Sequence, residues 1–361
     1  MSETFENTTS KLGSPWLAPW PENELESVPA CPVCGSAERA VLHEKLIDNV
    51  FFVAPGKWTL HRCIQCSSAY LDPRPSPESI GKAYGTYYTH TIGSGQYDVG
   101  RLALFRRFRR MLANGYLNHR YGTTRQPASK LGVLAAKLLL SQRQALDVQF
   151  RYLPRPTQGQ RLLDVGCGNG DFLISAREAG WQVSGVEPDP KAAAMAQQRG
   201  LNVILGTTDK LTEKSGSFAA ITLSHVIEHV HDPKFLLQVI YRLLEIDGVV
   251  YIDTPNIESC GARIFGANWR GMETPRHLAL FNTSSLTKLL KATGFGCVKI
   301  ERRTAVRTGM YLSSMRIANG NSPYGIAPVK LGWSEKVSSI FHSVNTNHLE
   351  FVTLTARKNK L

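Results

Sequence analysis

The sequence predicts an α/β protein whose mostly parallel sheet is wound on both sides, and three observations predict it. Strand and helix patterns alternate from Gln160 onward. A glycine-rich turn, Gly166-Cys167-Gly168-Asn169-Gly170, joins the first strand of that series to its first helix. An acidic residue, Glu187, closes the next strand about 20 residues further on. Glycines at alternate positions let the backbone turn sharply and admit a ligand where a Cβ would stand in the way. A carboxylate at the end of the second strand can hydrogen-bond the ribose hydroxyls of an adenosine cofactor.

Each element has a local reason. Residues 162–165 are an apolar run interrupted by Asp164, and residues 171–180 read as the helix opened by the glycines. Residues 182–186 form the second strand and 202–205, after Gly200, the third. Residues 218–224 are the fourth strand, followed by a helix capped by Asp232-Pro233 and reaching residue 246. Asp247-Gly248 turns into the fifth strand, 249–253. After a long insertion come a helix at 284–293 ended by Gly294, a strand at 297–302, and a last strand at 349–356. A Gly/Asn/Ser-rich loop at 307–328, carrying Tyr311 and Tyr324, reads as a lid.

Upstream, residues 1–28 read as a flexible leader, 29–75 as a small lobe, 76–155 as a helical connector, and 156–361 as the α/β domain. In the connector, Leu104, Phe105, Phe108, Met111 and Leu112 follow helical spacing, and a second helical stretch covers 131–152.

With 42% apolar residues in 361, the chain has ample core and excludes a disordered protein. No apolar run approaches bilayer length, and the first residues lack the basic and apolar regions of a secretory signal, so a cytoplasmic protein is expected. The net charge of +13 is concentrated: between Arg101 and Gln160 twelve cations face a single acid, Asp147. A local basic face follows, suited to an anionic membrane at its inner surface or to a lipid-linked phosphate, and less to nucleic acid.

Four of seven cysteines form two pairs, Cys31-Pro32-Val33-Cys34 and Cys63-Ile64-Gln65-Cys66. Two such turns complete a four-thiolate structural zinc site, with no open position for catalysis. A redox motif needs only one pair, and His61, two residues before Cys63, is expected to be no ligand.

The glycine turn with its preceding acid resembles the first motif of the class I S-adenosylmethionine-dependent methyltransferases. A dinucleotide loop would have its third glycine one residue later and would gain nothing from Asp164, which would repel pyrophosphate. The resemblance implies a Rossmann-like seven-stranded sheet with an N-terminal zinc-knuckle lobe and helical connector. It implies S-adenosylmethionine contacts from Asp164, Gly166, Cys167, Gly168, Gly170, Glu187, Pro188, Thr207, Thr208, Ser224, His225 and Val226. Ser224-His225-Val226-Ile227-Glu228-His229 resembles the family segment after the fourth strand, where later residues approach the acceptor. Glu228 and His229, with His225 and His277, are therefore the candidates for moving the acceptor proton.

The insertion residues Trp269, Arg270, Glu273, Arg276 and His277, together with Asn256, are expected to contact the acceptor, Trp269 as an aromatic wall and Arg as an anion ligand. The double CxxC lobe is similar to that of bacterial methyltransferases acting on sugars and surface glycans. The expected activity is O-methylation of a sugar hydroxyl on a nucleotide- or lipid-linked glycan. RNA methylation, small-molecule C-methylation and a non-catalytic scaffold are the alternatives.

Overall fold

The computed structural model describes residues 15–85, 102–211, 215–304, 306–325 and 345–359. The N-terminal part contributes β1 (Leu25–Glu26), β2 (Arg39–Leu46), β3 (Trp58–Cys63), β4 (Ala69–Leu71) and β5 (Arg74–Pro75). The connector contributes α1 (Leu102–Tyr121), α2 (Leu131–Leu138) and α3 (Leu140–Gln149). Then follow β6 (Arg161–Val165), α4 (Asp171–Glu178), β7 (Gln182–Glu187), α5 (Pro190–Gln198), β8 (Val203–Leu205) and β9 (Phe218–Ser224). The chain continues through α6 (Pro233–Leu243), β10 (Leu244–Pro255), α7 (Cys260–Phe265), β11 (Ala279–Leu280) and α8 (Thr283–Ala292). It closes with β12 (Phe295–Glu301), α9 (Arg307–Ala318) and β13 (Phe351–Lys358).

The central sheet runs β12-β13-β10-β9-β6-β7-β8. Strand β13 pairs antiparallel with both neighbours, while the other pairs are parallel. Central strands read as nearly continuous apolar runs because helices cover both faces: β9 is buried from Phe218 to Leu223. On one face Leu163, Val165, Ile221 and Ile252 pack with Leu237 and Ile240 of α6 and Leu286 and Leu290 of α8. On the other, Leu162, Ala220 and Tyr251 pack with Leu173 of α4, Ala196 of α5 and the connector residues Tyr116, Leu117, Tyr121 and Phe150. Helix starts are held by side-chain caps at Asp189, Asp232, Ser259 and Asn282, and Pro190 and Pro233 occupy first turns where a missing N–H costs nothing.

Several boundaries differ from expectation. Residues 15–28 are packed rather than a free leader: Trp20 is buried edge-to-face on Trp58, and β1 pairs with β5. Residues 1–14 lie outside the described residues, and so does the end of the expected lid, residues 326–328. Its first part is not a loop but α9, with Tyr311 buried. The second connector helix breaks at Leu139 into α2 and α3. Helix α6 ends at Leu243, and Asp247, at φ 63°, sits inside β10 where the register with β9 shifts, a bulge rather than a turn before the strand.

The N-terminal lobe does not stand alone. Its sheet runs β11-β4-β3-β2, and β11 comes from the insertion of the α/β domain. Arg276, fully buried, donates to both carboxylate oxygens of Asp48, at 2.5 and 3.1 Å. Asp48 also accepts from the backbone N–H groups of Phe51, Val53 and Ala54. Burial alone would raise the Asp48 carboxyl, but the guanidinium and these donors hold it below its ordinary value. An Asp48→Ala variant, leaving a buried arginine without its counter-charge, is expected to lose about 3–5 kcal/mol in urea unfolding.

Candidate active site

The carboxyl ends of β6, β7, β8, β9 and β10 gather one cleft, the place where open α/β sheets bind ligands. Gly166, Gly168 and Gly170 all have positive φ. A Cβ on Gly170 would lie 2.2 Å from Leu201 Cδ1, whereas one on Gly168 would meet nothing within 4 Å. Gly170 therefore lets the loop pack against α5 and Leu201, and Gly168 faces the space a ligand needs. Glu187 accepts from Gly168 N–H at 2.8 Å and from Asp189 N–H at 2.9 Å, which ties the acid to the loop. Its carboxyl is pushed up by burial against those two backbone donors.

Asp164 is fully buried beneath the loop. Its Oδ1 accepts from Arg151 and from Thr222 Oγ1, while Oδ2 has no hydrogen-bond partner. Burial raises the Asp164 carboxyl and Arg151 opposes the rise. Arg151 reaches in from the end of the connector and lies over the Phe172 ring, 3.6 Å from its centroid. No motif marks this arginine in sequence; the only signal was a cation close upstream of the first strand of the sheet. A buried carboxylate oxygen without a donor, beside an arginine, suits the ammonium and carboxylate of an amino-acid moiety.

The other expected cofactor residues divide. Ser224 and Val226 border the loop, with Val226 Cγ2 2.7 Å from where a Gly166 Cβ would be. Pro188 and Thr207 are exposed at the rim and Thr208 is buried beside them. Thr207 Oγ1 is turned to Asp209. Cys167 departs from expectation: its thiol packs into the core against Gly185, so only its backbone is offered to a ligand.

Across the cleft, His225 has a 40% exposed side chain and a left-handed backbone, φ 57°. Its Nδ1 lies 3.2 Å from Glu228 Oε1 and its Nε2 3.5 Å from Asp253 Oδ2. Glu228, fully buried, also accepts from Thr254 Oγ1, and Asp253 is held by Arg303 and Thr353. Burial disfavours the His225 cation, yet the Glu228 hydrogen bond and the Glu228 and Asp253 charges outweigh it, so the imidazole titrates above its ordinary value. Burial likewise opposes the Glu228 anion, but His225 and the neighbouring histidines bring its carboxyl down to about 2.

His229 Nδ1 sits 3.0 Å from the Arg276 carbonyl and 3.0 Å from Tyr84 Oη. His277 is buried, donates Nδ1–H to the Gly271 carbonyl at 2.8 Å, and is lowered by burial to about 4. A neutral, enclosed imidazole packed 4.8 Å from the His229 ring is a supporting residue, which corrects its expected place as a base.

The insertion is corrected most. Trp269 is not a wall of the pocket: it is wholly buried and its indole N–H donates to Glu350. Arg276 is spent on Asp48 rather than on a ligand, and Asn256 clamps the carbonyls of Asn347 and Leu349. Glu273 is buried as well and pairs at 2.6 Å with the partly buried Arg270, which also donates to Tyr324 Oη and lies by the Phe51 ring.

In the lobe, the thiol sulfurs of Cys31 and Cys66 are 3.7 Å apart and those of Cys34 and Cys63 3.5 Å. All four lie within 4.8 Å of one another. A tetrahedral zinc with Zn–S bonds of about 2.3 Å has sulfur–sulfur edges of about 3.8 Å, so the donor set fits. The two knuckles match: Gly35 N–H donates to Cys31 and Ser67 N–H to Cys63, and both donors have positive φ.

Residues 140–300 match the family model described as a methyltransferase domain. Over that span the chain is similar to methyltransferase domains. The sheet order, with its single antiparallel strand β13 inserted beside β10, gives it the class I fold. A ubiquinone biosynthesis O-methyltransferase of Rhizobium etli is 29% identical over 165 residues, covering 42% of this chain and 65% of that protein. One of Xanthomonas oryzae pv. oryzae is 33% identical over 105 residues, covering 27% and 44%. The chain thus spans less than two thirds of either relative. An S-adenosylmethionine dependent methyltransferase structure from Mesorhizobium loti overlaps 59% of this chain and 97% of that one, at 18% identity and a TM-score of 0.41. The matched span holds the glycine loop, Glu187 and His225, while the cysteine cluster lies outside it.

Proposed function

We propose that the protein is an S-adenosylmethionine-dependent O-methyltransferase whose N-terminal lobe carries a structural zinc on Cys31, Cys34, Cys63 and Cys66. The observation that carries the reading is the open glycine loop closed by Glu187 and underlain by the half-satisfied Asp164. Glu187 supplies acceptors for ribose hydroxyls, Asp164 and Arg151 flank the amino-acid end, and Thr207 and Thr208 border the base. When bound, the cofactor supplies an electrophilic methyl group on its sulfonium.

His225 is the residue best placed to move the acceptor proton. It is the exposed histidine of the cleft, and its Nδ1–H is engaged by Glu228. That leaves the Nε2 lone pair to take the proton of an acceptor hydroxyl as its oxygen bonds the methyl carbon. The imidazolium so formed stands between the Glu228 and Asp253 carboxylates, which stabilise it without taking the proton. Positioning the oxygen behind the methyl supplies the rest; alignment of this kind is worth roughly 7–11 kcal/mol.

The printed activity of the relatives, O-methyl transfer, supports an oxygen acceptor. The edge formed by partly buried Arg270 and exposed Tyr324, beside Phe51, supports a polar acceptor bearing an anionic group, for which a sugar hydroxyl of a nucleotide- or lipid-linked glycan is our preferred class. Calorimetric titration with S-adenosylhomocysteine tests the cofactor assignment. Wild type should bind in the micromolar range, and Glu187→Ala should bind roughly 10–100-fold more weakly, the value of charge-assisted hydrogen bonds. Equal affinity of the two proteins would refute the ribose contact.

A further inference from the structure

We infer that the outer ends of α1 and of the α2–α3 pair dock on a bilayer surface rich in anionic lipid headgroups. The C-terminal half of α1 is bound to the domain through Tyr116, Leu117 and Tyr121. Its N-terminal half is different, for residues 105–110 are exposed on every side. Phe105 and Phe108, 60% and 49% exposed, share one face there, three residues apart. Arg109 lies 5.9 Å from the Phe105 ring centroid, and neither phenylalanine belongs to an apolar cluster of the described residues.

Helix α2 repeats the arrangement. It crosses α1 closely, since a Cβ on Gly132 would lie 1.9 Å from the Leu112 carbonyl oxygen and one on Gly115 1.7 Å from that of Ser129. Its buried face is Gly132 and Ala136. Its outer face is Leu131, Leu134 and Leu138, one stripe by helical spacing, and each is more than half exposed. Leu139 and Leu140 follow, also exposed, so three consecutive leucines face solvent where the chain breaks between helices. An apolar stripe of this kind marks an interaction surface rather than a soluble helix.

The charges around these residues select the partner. Arg107, Arg110, Lys130 and Lys137 are exposed, and the leucine stripe is flanked by the two lysines. The one acid of the segment, Asp147, is buried and accepts from Tyr116 Oη and Tyr121 Oη at 2.7 Å, so it does not neutralise the outer face. Long basic side chains can reach headgroup phosphates while leucine and phenylalanine enter the acyl boundary. A nucleic-acid groove would use the cations but has no place for five leucines. No helix among the described residues is long and apolar enough to cross a membrane, so the contact is one of lying on the surface.

Sedimentation of the full chain with phosphatidylcholine vesicles, with and without phosphatidylglycerol, tests this directly. The protein should pellet with the anionic vesicles and stay in solution with the neutral ones. Both Leu134→Ser/Leu138→Ser and Arg107→Glu/Arg110→Glu should lower the bound fraction by about tenfold or more. All four positions are exposed, so the unfolding midpoints should match wild type, which separates lost docking from lost folding. Equal binding to both vesicle types would overturn the inference, as would full vesicle binding by the leucine variant. Binding to homopolymeric RNA that the arginine variant loses and the leucine variant keeps, without vesicle binding, would overturn it in favour of nucleic acid.

Discussion

Cys66→Ser is expected to release the zinc and unfold the N-terminal lobe. Three thiolates hold the ion poorly, and structural zinc of this kind contributes apparent free energies of about 10–16 kcal/mol to the fold it closes. Loss here should spread beyond the lobe. The Cys66 carbonyl accepts from Asn282 Nδ2 at 3.0 Å, and β4, the next strand, pairs with β11. Behind β11 stands Leu278, whose N–H donates to the Glu228 carbonyl at 2.8 Å. The path from the cysteine cluster to the cleft is therefore short. Metal analysis by mass spectrometry should give one zinc per chain for wild type and near none for the variant. Limited proteolysis should then cut within residues 29–75 and in the insertion around β11, which shares the lobe's sheet. One full equivalent of zinc in Cys66→Ser would refute the four-cysteine site.

His225→Gln should lower kcat by about 10²–10⁴, the ordinary contribution of a positioned base, with S-adenosylhomocysteine affinity little changed. Exposure of the His225 side chain makes this a change in chemistry rather than in packing. The pH profile gives a second readout. His225 titrates above its ordinary value because of Glu228 and Asp253, so kcat/KM should rise with pH through a limb lying above about 6.5 and should lose that limb in the variant. Stability has the opposite sense. A raised folded value means the charged histidine contributes fully below its unfolded value of about 6.5, and that contribution fades as pH rises through the folded value. Unchanged kcat in His225→Gln would return the proton to His229, whose Nδ1 is already engaged by a carbonyl.

How much of this was legible in sequence follows from the range of the interactions. The glycine loop, Glu187 and the two CxxC turns are local patterns, and the strand–helix alternation reads directly from burial periodicity. Trp269 and Arg276 show the opposite case. Their residue types suggested a sugar wall and an anion ligand, yet Glu350 and Asp48 claim them, partners 81 and 228 residues away. Residue type states what a side chain can do, and only its neighbours decide whether that capacity is already used. Arg151 was missed for the same reason, since its partner Asp164 is near in sequence but no motif joins them.

By itself, then, the sequence determined the doubly wound sheet, the cofactor loop and the cysteine set, because each is written in residues close along the chain. The tertiary structure alone decided that the lobe shares a sheet with the insertion, that His225 rather than His277 faces the cleft, and that the basic segment leaves its leucines uncovered. These are outcomes of burial and of which distant groups meet, and burial is a property of the packed whole that no local pattern carries.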